Sequence, residues 1–182
     1  MAEVGNATLI LLREKIGDLL GQRGRDRSPV TSVSAGVPRG VICEITGAAR
    51  VEWVLEFLAE NPELQVIWIE KEFELLPTSF EQRGVSLSRV FFIEGGDKVL
   101  QALRSALRSK VFSCIVAPNL FKSDERKLKA IRLLTEQANA TLLLLGKEPQ
   151  ASWTIAFQLE VKRKYDEGGF SLRVLKDKAG VK

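Results

Sequence analysis

The feature that most constrains the fold is an alternation of short apolar runs with helical segments between residues 41 and 145. Strands are predicted at 41–46, 66–70, 90–93, 112–117 and 141–145, and helical segments at 50–60, 78–82, 97–109 and 123–138. Strands separated by helices of about ten residues are typical of parallel βαβ units. We therefore predict an α/β fold with a mostly parallel central sheet that is covered by helices on both faces.

The last part of the chain predicts a different element, a β-hairpin. Two extended runs at 154–164 and 170–178 flank Asp166-Glu167-Gly168-Gly169, whose glycines suit a tight reversal. We expect the two strands to be antiparallel and to lie at an edge of the sheet.

The start of the chain predicts an amphipathic helix followed by a linker. Within residues 8–21, Leu9, Leu12, Ile16 and Leu19 recur at helical spacing and form one apolar stripe. Residues 21–40 are rich in Gly, Arg, Ser and Pro, which favours a linker. We divide the chain into a helix and linker, residues 1–28, and a core domain, residues 29–182. The helix either folds back on its own core or docks on another molecule, including a second copy, and both interpretations are open.

Composition excludes several classes of function. The 182 residues, 45% of them hydrophobic, are sufficient for one domain with a substantial core. The chain has no histidine, so Ser-His-Asp and Cys-His mechanisms are excluded and no imidazole is available to bind a metal. Cys43 and Cys114 lie in apolar runs and are predicted to be buried thiols without a metal or disulfide role.

Charge and hydropathy predict a cytoplasmic protein. No run resembles a signal peptide, and none approaches the roughly 20 apolar residues of a membrane span. The balance of 27 Lys and Arg against 23 Asp and Glu gives a net charge of +4, which permits contact with nucleic acid without requiring it.

The turn after the first core strand has the frame of a phosphate-binding loop. Such a loop uses glycines to let backbone N–H groups surround the phosphates, a lysine for the terminal phosphates and a Ser or Thr hydroxyl for Mg²⁺. Here the first glycine, Gly47, is followed by Ala48, Ala49, Arg50, Val51, Glu52, Trp53 and Val54. Glu52 stands at the position of the second glycine, Trp53 at that of the lysine, and Val54 at that of the hydroxyl.

This turn lacks the groups that would bind a nucleotide. Each charge-assisted hydrogen bond contributes roughly 1.5–3 kcal/mol, so the loss of several removes most of the affinity. We expect Glu52 and Trp53 to face the space that a triphosphate would fill, and we expect no cofactor and no metal.

Several segments resemble the ATPase core of the RecA recombinases. Residues 36–40, Gly-Val-Pro-Arg-Gly, run into a strand ending in Ile45-Thr46-Gly47, which is similar to the entry to that core. The resemblance continues through residues 67–77 and 83–90 and ends with Lys176-Asp177-Lys178. It implies a RecA-like core, here without functional Walker motifs.

The departures from the recombinases concern the chemistry of the site. The resemblance places Ala117 where the family has a Mg²⁺-binding aspartate, and Glu72 where the family has the glutamate that activates water. Lys176 and Lys178 match lysines that reach a nucleotide on an adjacent subunit, although lysines on an edge hairpin also guard against aggregation, the interpretation we prefer. We interpret all four residues as vestigial. The segment that follows residue 145 is too short for the mobile DNA-binding loop of the family, so strand exchange is not expected.

A second resemblance involves proteins of the bacterial DNA-damage (SOS) response. Residues 99–116, 126–134 and 139–149 are similar to SulA and ImuA, which are degenerate RecA-like proteins. The predicted N-terminal helix, the 36–40 entry and the C-terminal hairpin are closer to ImuA. That resemblance implies a non-catalytic accessory protein of error-prone translesion DNA synthesis, with an ImuB-like polymerase homologue and RecA as partners.

Two alternative functions stay open. One is a SulA-like inhibitor of cell division that binds FtsZ. The other is a weak ATPase in which Arg50 or Lys71 replaces the missing lysine.

Two sets of residues are candidate contact surfaces. The stripe formed by Leu9, Leu12, Ile16 and Leu19 is a candidate partner interface, either with another protein or through self-association. Candidate nucleic-acid contacts are Arg23, Arg25 and Arg27 in the linker and Lys162, Arg163 and Lys164 on the hairpin. Charge runs of this kind are more often simply solvated.

Overall fold

The computed structural model describes residues 26–122, 124–164 and 168–178. Its strands are β1 Arg27–Val30, β2 Val33–Pro38, β3 Ile42–Thr46, β4 Val66–Glu70, β5 Val90–Glu94, β6 Cys114–Pro118, β7 Thr141–Leu145, β8 Phe157–Arg163 and β9 Phe170–Asp177. Its helices are α1 Arg50–Glu60, α2 Thr78–Glu81, α3 Val99–Ser109 and α4 Glu125–Ala138. The helix predicted at 8–21, with Leu9, Leu12, Ile16 and Leu19, lies outside the described residues, as do Arg23 and Arg25.

The central sheet is mixed, as predicted. Seven strands pair in the order β5-β4-β6-β7-β3-β8-β9. All neighbouring pairs are parallel except β8 and β9, which are antiparallel and form the C-terminal hairpin. Because β9 is the last strand in this order, the hairpin lies at the sheet edge, and the predicted topology is confirmed.

Helices cover both faces of the sheet. On one face α1 and α2 contribute the buried side chains Trp53, Phe57 and Phe80. On the other face α3 and α4 contribute Leu107 and Ile131. The central strands, buried between the two layers, are therefore almost wholly apolar, as is typical of parallel sheets. Among the described residues, no helix combines the length and apolar character that crossing a membrane requires.

The predicted linker is wrong for its described part, which forms a second β-hairpin. β1 and β2 pair antiparallel, and Val30, Val33 and Val37 are buried in the same cluster as α1. Asn61, just after α1, donates its side-chain amide to the Pro29 carbonyl at 2.6 Å. The predicted boundary between residues 28 and 29 therefore falls within β1. The sequence signal was obscured because Thr, Ser, Ala and Gly separate the three valines and a proline lies on either side of them.

Candidate functional site

The loop between β3 and α1 is closed by hydrogen bonds within the protein. The backbone N–H of Ala49 donates to the Val161 carbonyl at 3.3 Å, and that of Arg50 donates to the Gly47 carbonyl at 3.4 Å. In a phosphate loop, the amides at this place point at the ligand and stay available to it. Here the amides of Ala49 and Arg50 already donate to carbonyl groups of β8 and of the loop itself.

Gly47 is required at this turn by packing. Its φ is +93°, and a Cβ built on it would collide with the Val161 carbonyl oxygen. A glycine here therefore lets β8 pack directly against the loop. It does not open space for a phosphate.

The expected orientation of Trp53 is wrong. The side chain is fully buried and points into the core instead of the space for a triphosphate. Its Nε1–H donates to Ser32 Oγ at 2.9 Å, and its ring stacks on Phe57 with centroids 6.1 Å apart. Val54 is fully buried as well. Because α1 begins at Arg50, these two positions lie inside a helix whose apolar face packs beneath β1 and β2.

Glu52 is the one replacement that lies at the surface of the loop. It forms a two-point ion pair with Arg163 of β8, from Arg163 Nη2 to Glu52 Oε1 at 2.5 Å and from Arg163 Nε to Glu52 Oε2 at 3.2 Å. Both side chains are partly exposed. The pair connects α1 to β8 next to the bond between Ala49 and Val161.

A cleft of about 270 Å³ lies beside the loop, at the carboxyl ends of the parallel strands. Its charged lining residues are the carboxylates of Glu70, Glu72 and Glu74 and the cations of Arg50 and Lys71. Glu72, predicted to be vestigial, is exposed in this lining. A triphosphate here would meet three carboxylates and two cations, which is unfavourable for a polyanion. Within the described ranges, no group of three or more potential metal ligands converges.

Neither cation proposed to replace the missing lysine is poised for that role. Arg50 Nη1 donates to the Gly47 carbonyl at 3.0 Å, which draws the guanidinium onto the loop backbone. Lys71 Nζ is 3.9 Å from Asp97 Oδ1, and both side chains are exposed. The residues present do not fit Mg·ATP.

A buried carboxyl group in β3 organises a hydrogen-bond network beside the loop. Glu44 is fully buried in β3 and accepts hydrogen bonds from Asn119 Nδ2 at 2.6 Å, Gln158 Nε2 at 2.6 Å and the Gln150 N–H at 3.0 Å. Ala117, buried in β6, contributes no polar group. The sequence analysis did not single out Glu44. A lone carboxyl group inside the apolar run 41–45 was nevertheless a usable signal, because a buried polar group needs hydrogen-bond partners.

Lys176 in β9 and Lys178 directly after β9 anchor the segment that joins β7 to β8. Lys176 Nζ donates to the Ser152 carbonyl, and Lys178 Nζ lies 3.4 Å from the Trp153 carbonyl. Burial, followed by the charge of Lys178, lowers the pKa of Lys176 below its ordinary value. Lys176 therefore contacts the protein itself. Our preferred interpretation, that this lysine guards the sheet edge against aggregation, did not include such a contact.

The described candidate nucleic-acid contacts do not form one free basic patch. Arg27 is mostly buried and pairs with Asp177, with Nη2 to Oδ1 at 2.8 Å. Lys162 pairs with Glu160 at 3.3 Å, and Arg163 pairs with Glu52. Lys164 is exposed and also has an interaction partner.

Together, the sheet order, the two helical layers and the C-terminal hairpin define a RecA-like α/β fold. A solved structure with this fold is that of the RadB recombinase, which aligns with a TM-score of 0.62 over 78% of this chain and 83% of that chain. The two sequences are 12% identical, so the similarity concerns the fold alone. No protein-family model matches the chain, and no curated protein matches its sequence.

Proposed function

We propose that this protein is a non-catalytic, cytoplasmic RecA-like accessory protein of the bacterial DNA-damage response that acts in error-prone translesion DNA synthesis. In this role the protein works through binding surfaces and carries out no reaction of its own. Its partners would be an ImuB-like polymerase homologue and RecA, as the resemblance to ImuA implies.

The single observation that carries the non-catalytic part is the closed loop. The Ala49 amide is bonded to Val161, and Gly47 packs against β8. The position of the phosphate-binding lysine is occupied by Trp53, which is buried beneath β1 and β2. Opening this loop for a triphosphate would break backbone hydrogen bonds and separate α1 from β8. A side-chain rotation alone would not create a site.

Nucleotide binding tests this part of the proposal. The full chain is titrated with Mg·ATP and Mg·ADP, and both heat of binding and thermal midpoint are measured, with a RecA-like ATPase as positive control. We expect no heat and no shift. Saturable binding that is lost in Arg50→Ala or Lys71→Ala would support the weak ATPase instead.

The cellular role is tested separately by direct binding. The purified chain is presented in turn to an ImuB-like polymerase homologue, RecA and FtsZ, and complex formation is measured by sedimentation. We expect complexes with the polymerase homologue or RecA. Binding to FtsZ alone, with blocked division on overexpression, would support the SulA-like alternative.

A further inference from the structure

One helix of the molecule carries charge of a single sign. Residues 98–110, which comprise α3 and one residue on either side, contain Lys98, Arg104, Arg108 and Lys110 but neither Asp nor Glu. This short segment therefore has the same net charge, +4, as the whole chain. The other α-helices of the described residues each contain at least one glutamate. We call the four residues the α3 cations.

The α3 cations are available for contact with another molecule. Lys98, Arg108 and Lys110 are exposed and Arg104 is half-buried. Within residues 26–122, 124–164 and 168–178, none of the four side chains forms an ion pair or a hydrogen bond. Their charge is therefore not neutralised by a contact inside the described part of the protein.

The carboxylates of the neighbouring elements are engaged elsewhere. These elements are the turn before α3, the end of β5 and the helix α4, which packs beside α3. Their contacts are Asp97 with Lys71, Glu94 with the Phe73 N–H, Asp124 with Lys127, Glu125 with Thr154 and Glu136 with Arg132. The nearest carboxylates along the chain and on the adjacent helix thus have other partners.

The stability of α3 does not account for this charge pattern. Arg104 and Arg108 stand four residues apart, where two like charges repel and weaken a helix. Lys98 is the N-cap residue, next to the positive end of the helix dipole, where a cation is unfavourable. A surface helix that is only solvated mixes both signs, as α4 does when it pairs Arg132 with Glu136.

The outward side of α3 has the side chains that contact phosphate groups. Because Val99, Leu103 and Leu107 are buried against the sheet, the opposite side faces solvent. A shallow groove of about 500 Å³ lies along it, and its polar and charged lining residues are Asp97, Lys98, Gln101, Arg104, Ser105 and Arg108. The two arginines are about 6 Å apart along the helix axis. Arg, Lys, Ser and Gln are the residues that proteins use to bind the DNA backbone.

We propose that the α3 cations bind the phosphate backbone of double-stranded DNA without reading its sequence. No residue that lines the groove is aromatic, whereas proteins that bind single strands stack bases on aromatic rings. An anionic membrane fits less well, because insertion needs an apolar helix face and that of α3 is already buried in the core.

This surface is separate from the cleft and from the sequence-predicted basic residues. Since α3 joins β5 to β6, it runs toward the amino ends of the strands, so Arg108 and Lys110 lie toward the end of the sheet opposite the cleft. Lys162 and Lys164 belong to the hairpin, and two strands separate β8 from β6. DNA binding here needs no nucleotide and is independent of the proposed protein partners, so its failure would leave that proposal standing.

Fluorescence anisotropy of a labelled, mixed-sequence DNA duplex tests the assignment on the full chain over a salt series. We expect a dissociation constant of roughly 10⁻⁴–10⁻⁶ M that weakens steeply with salt. Arg104→Gln with Arg108→Gln should bind about tenfold more weakly for each arginine at about 0.1 M salt, and the slope of log affinity against log salt should fall by about 2. Arg104→Lys with Arg108→Lys should keep the slope of the wild type.

The matched control is Lys162→Gln with Lys164→Gln, which removes the same charge from the hairpin and should bind like the wild type. Glutamine is a good helix former, so the thermal midpoint of the α3 variant should not fall. The proposal is overturned if the wild type does not bind the duplex at low salt, or if the α3 variant binds like the wild type. It is also overturned if the hairpin control loses as much affinity, or if a single strand or phosphatidylserine vesicles bind more tightly than the duplex.

Discussion

Glu52 and Arg163 join α1 to β8 through two charged contacts, at 2.5 Å and 3.2 Å, directly above the closed loop. Because both side chains are partly exposed, we expect the pair to contribute at most about 1 kcal/mol to the free energy of unfolding. Glu52→Gln should therefore be mildly destabilising in chemical denaturation and should leave Mg·ATP unbound, since the amide of Ala49 stays bonded to Val161. Nucleotide binding gained by this variant would mean that the ion pair, and not the backbone, closes the site.

Gly47→Ala should be more destabilising than the same change at Gly84. Both glycines have positive φ, +93° and +79°, so both variants pay the conformational cost of about 1–2 kcal/mol for an L-residue. Only at Gly47 would the new Cβ also collide, with the Val161 carbonyl, whereas nothing lies within 4 Å at Gly84. Urea denaturation of the two variants measures the difference, and equal costs would contradict the close packing of β8 on the loop.

A lysine at Trp53 should unfold the domain and create no phosphate site. The change removes a fully buried indole, which by itself costs about 3–5 kcal/mol, and places an ammonium group in the core. The matched control is Trp153→Lys, at an indole that is 52% exposed, which should leave the thermal midpoint nearly unchanged. A folded Trp53→Lys variant that binds ATP would refute the inward orientation of this side chain.

The two buried thiols should make the protein less stable in alkali. Burial raises the pKa of Cys114 from 9.0 to about 12, and burial together with the charge of Cys114 raises that of Cys43 further. Above pH 9.0 the unfolded chain loses thiol protons that the folded chain keeps, so the free energy of unfolding falls as pH rises. The loss is about 1.4 kcal/mol per thiol at about pH 10.

Denaturation of the wild type and of the Cys43→Ala, Cys114→Ala variant at neutral and alkaline pH measures this effect. The variant should be less stable at neutral pH, because it loses buried volume, but should have the flatter dependence on pH. Identical slopes would show that the thiols are not the titrating groups. In the native wild type, both thiols should also react with a disulfide reagent only after unfolding.

Strands and helices with strong periodicity were predictable almost to the residue. The strands Val66–Glu70 and Thr141–Leu145 and the helix Arg50–Glu60 have the predicted bounds. The buried positions of each element are set by its place in the sheet or against it. They are visible in the sequence as a regular pattern of apolar residues. The β1–β2 hairpin was missed because its strands are short and interrupted by turn-forming residues, so composition favoured a linker.

The chemical groups that the candidate site lacks were predictable from the sequence. The arrangement of the side chains that are present was not. The residues after Gly47 show that the lysine and the hydroxyl are absent. They do not show that Trp53 points inward, since that depends on Ser32 and Phe57 and on where α1 begins. The Glu44 network likewise joins residues of three separate segments.

By itself, the sequence determined the α/β alternation, the hairpin at the end of the chain and the missing chemistry of the loop, because each depends on residues close together along the chain. The tertiary structure alone decided that the Ala49 amide meets Val161 and that the Trp153 ring lies beside the cations of Lys129 and Arg132. Both contacts join segments far apart in sequence, and only the packing of the sheet and its helices determines which of those segments become neighbours.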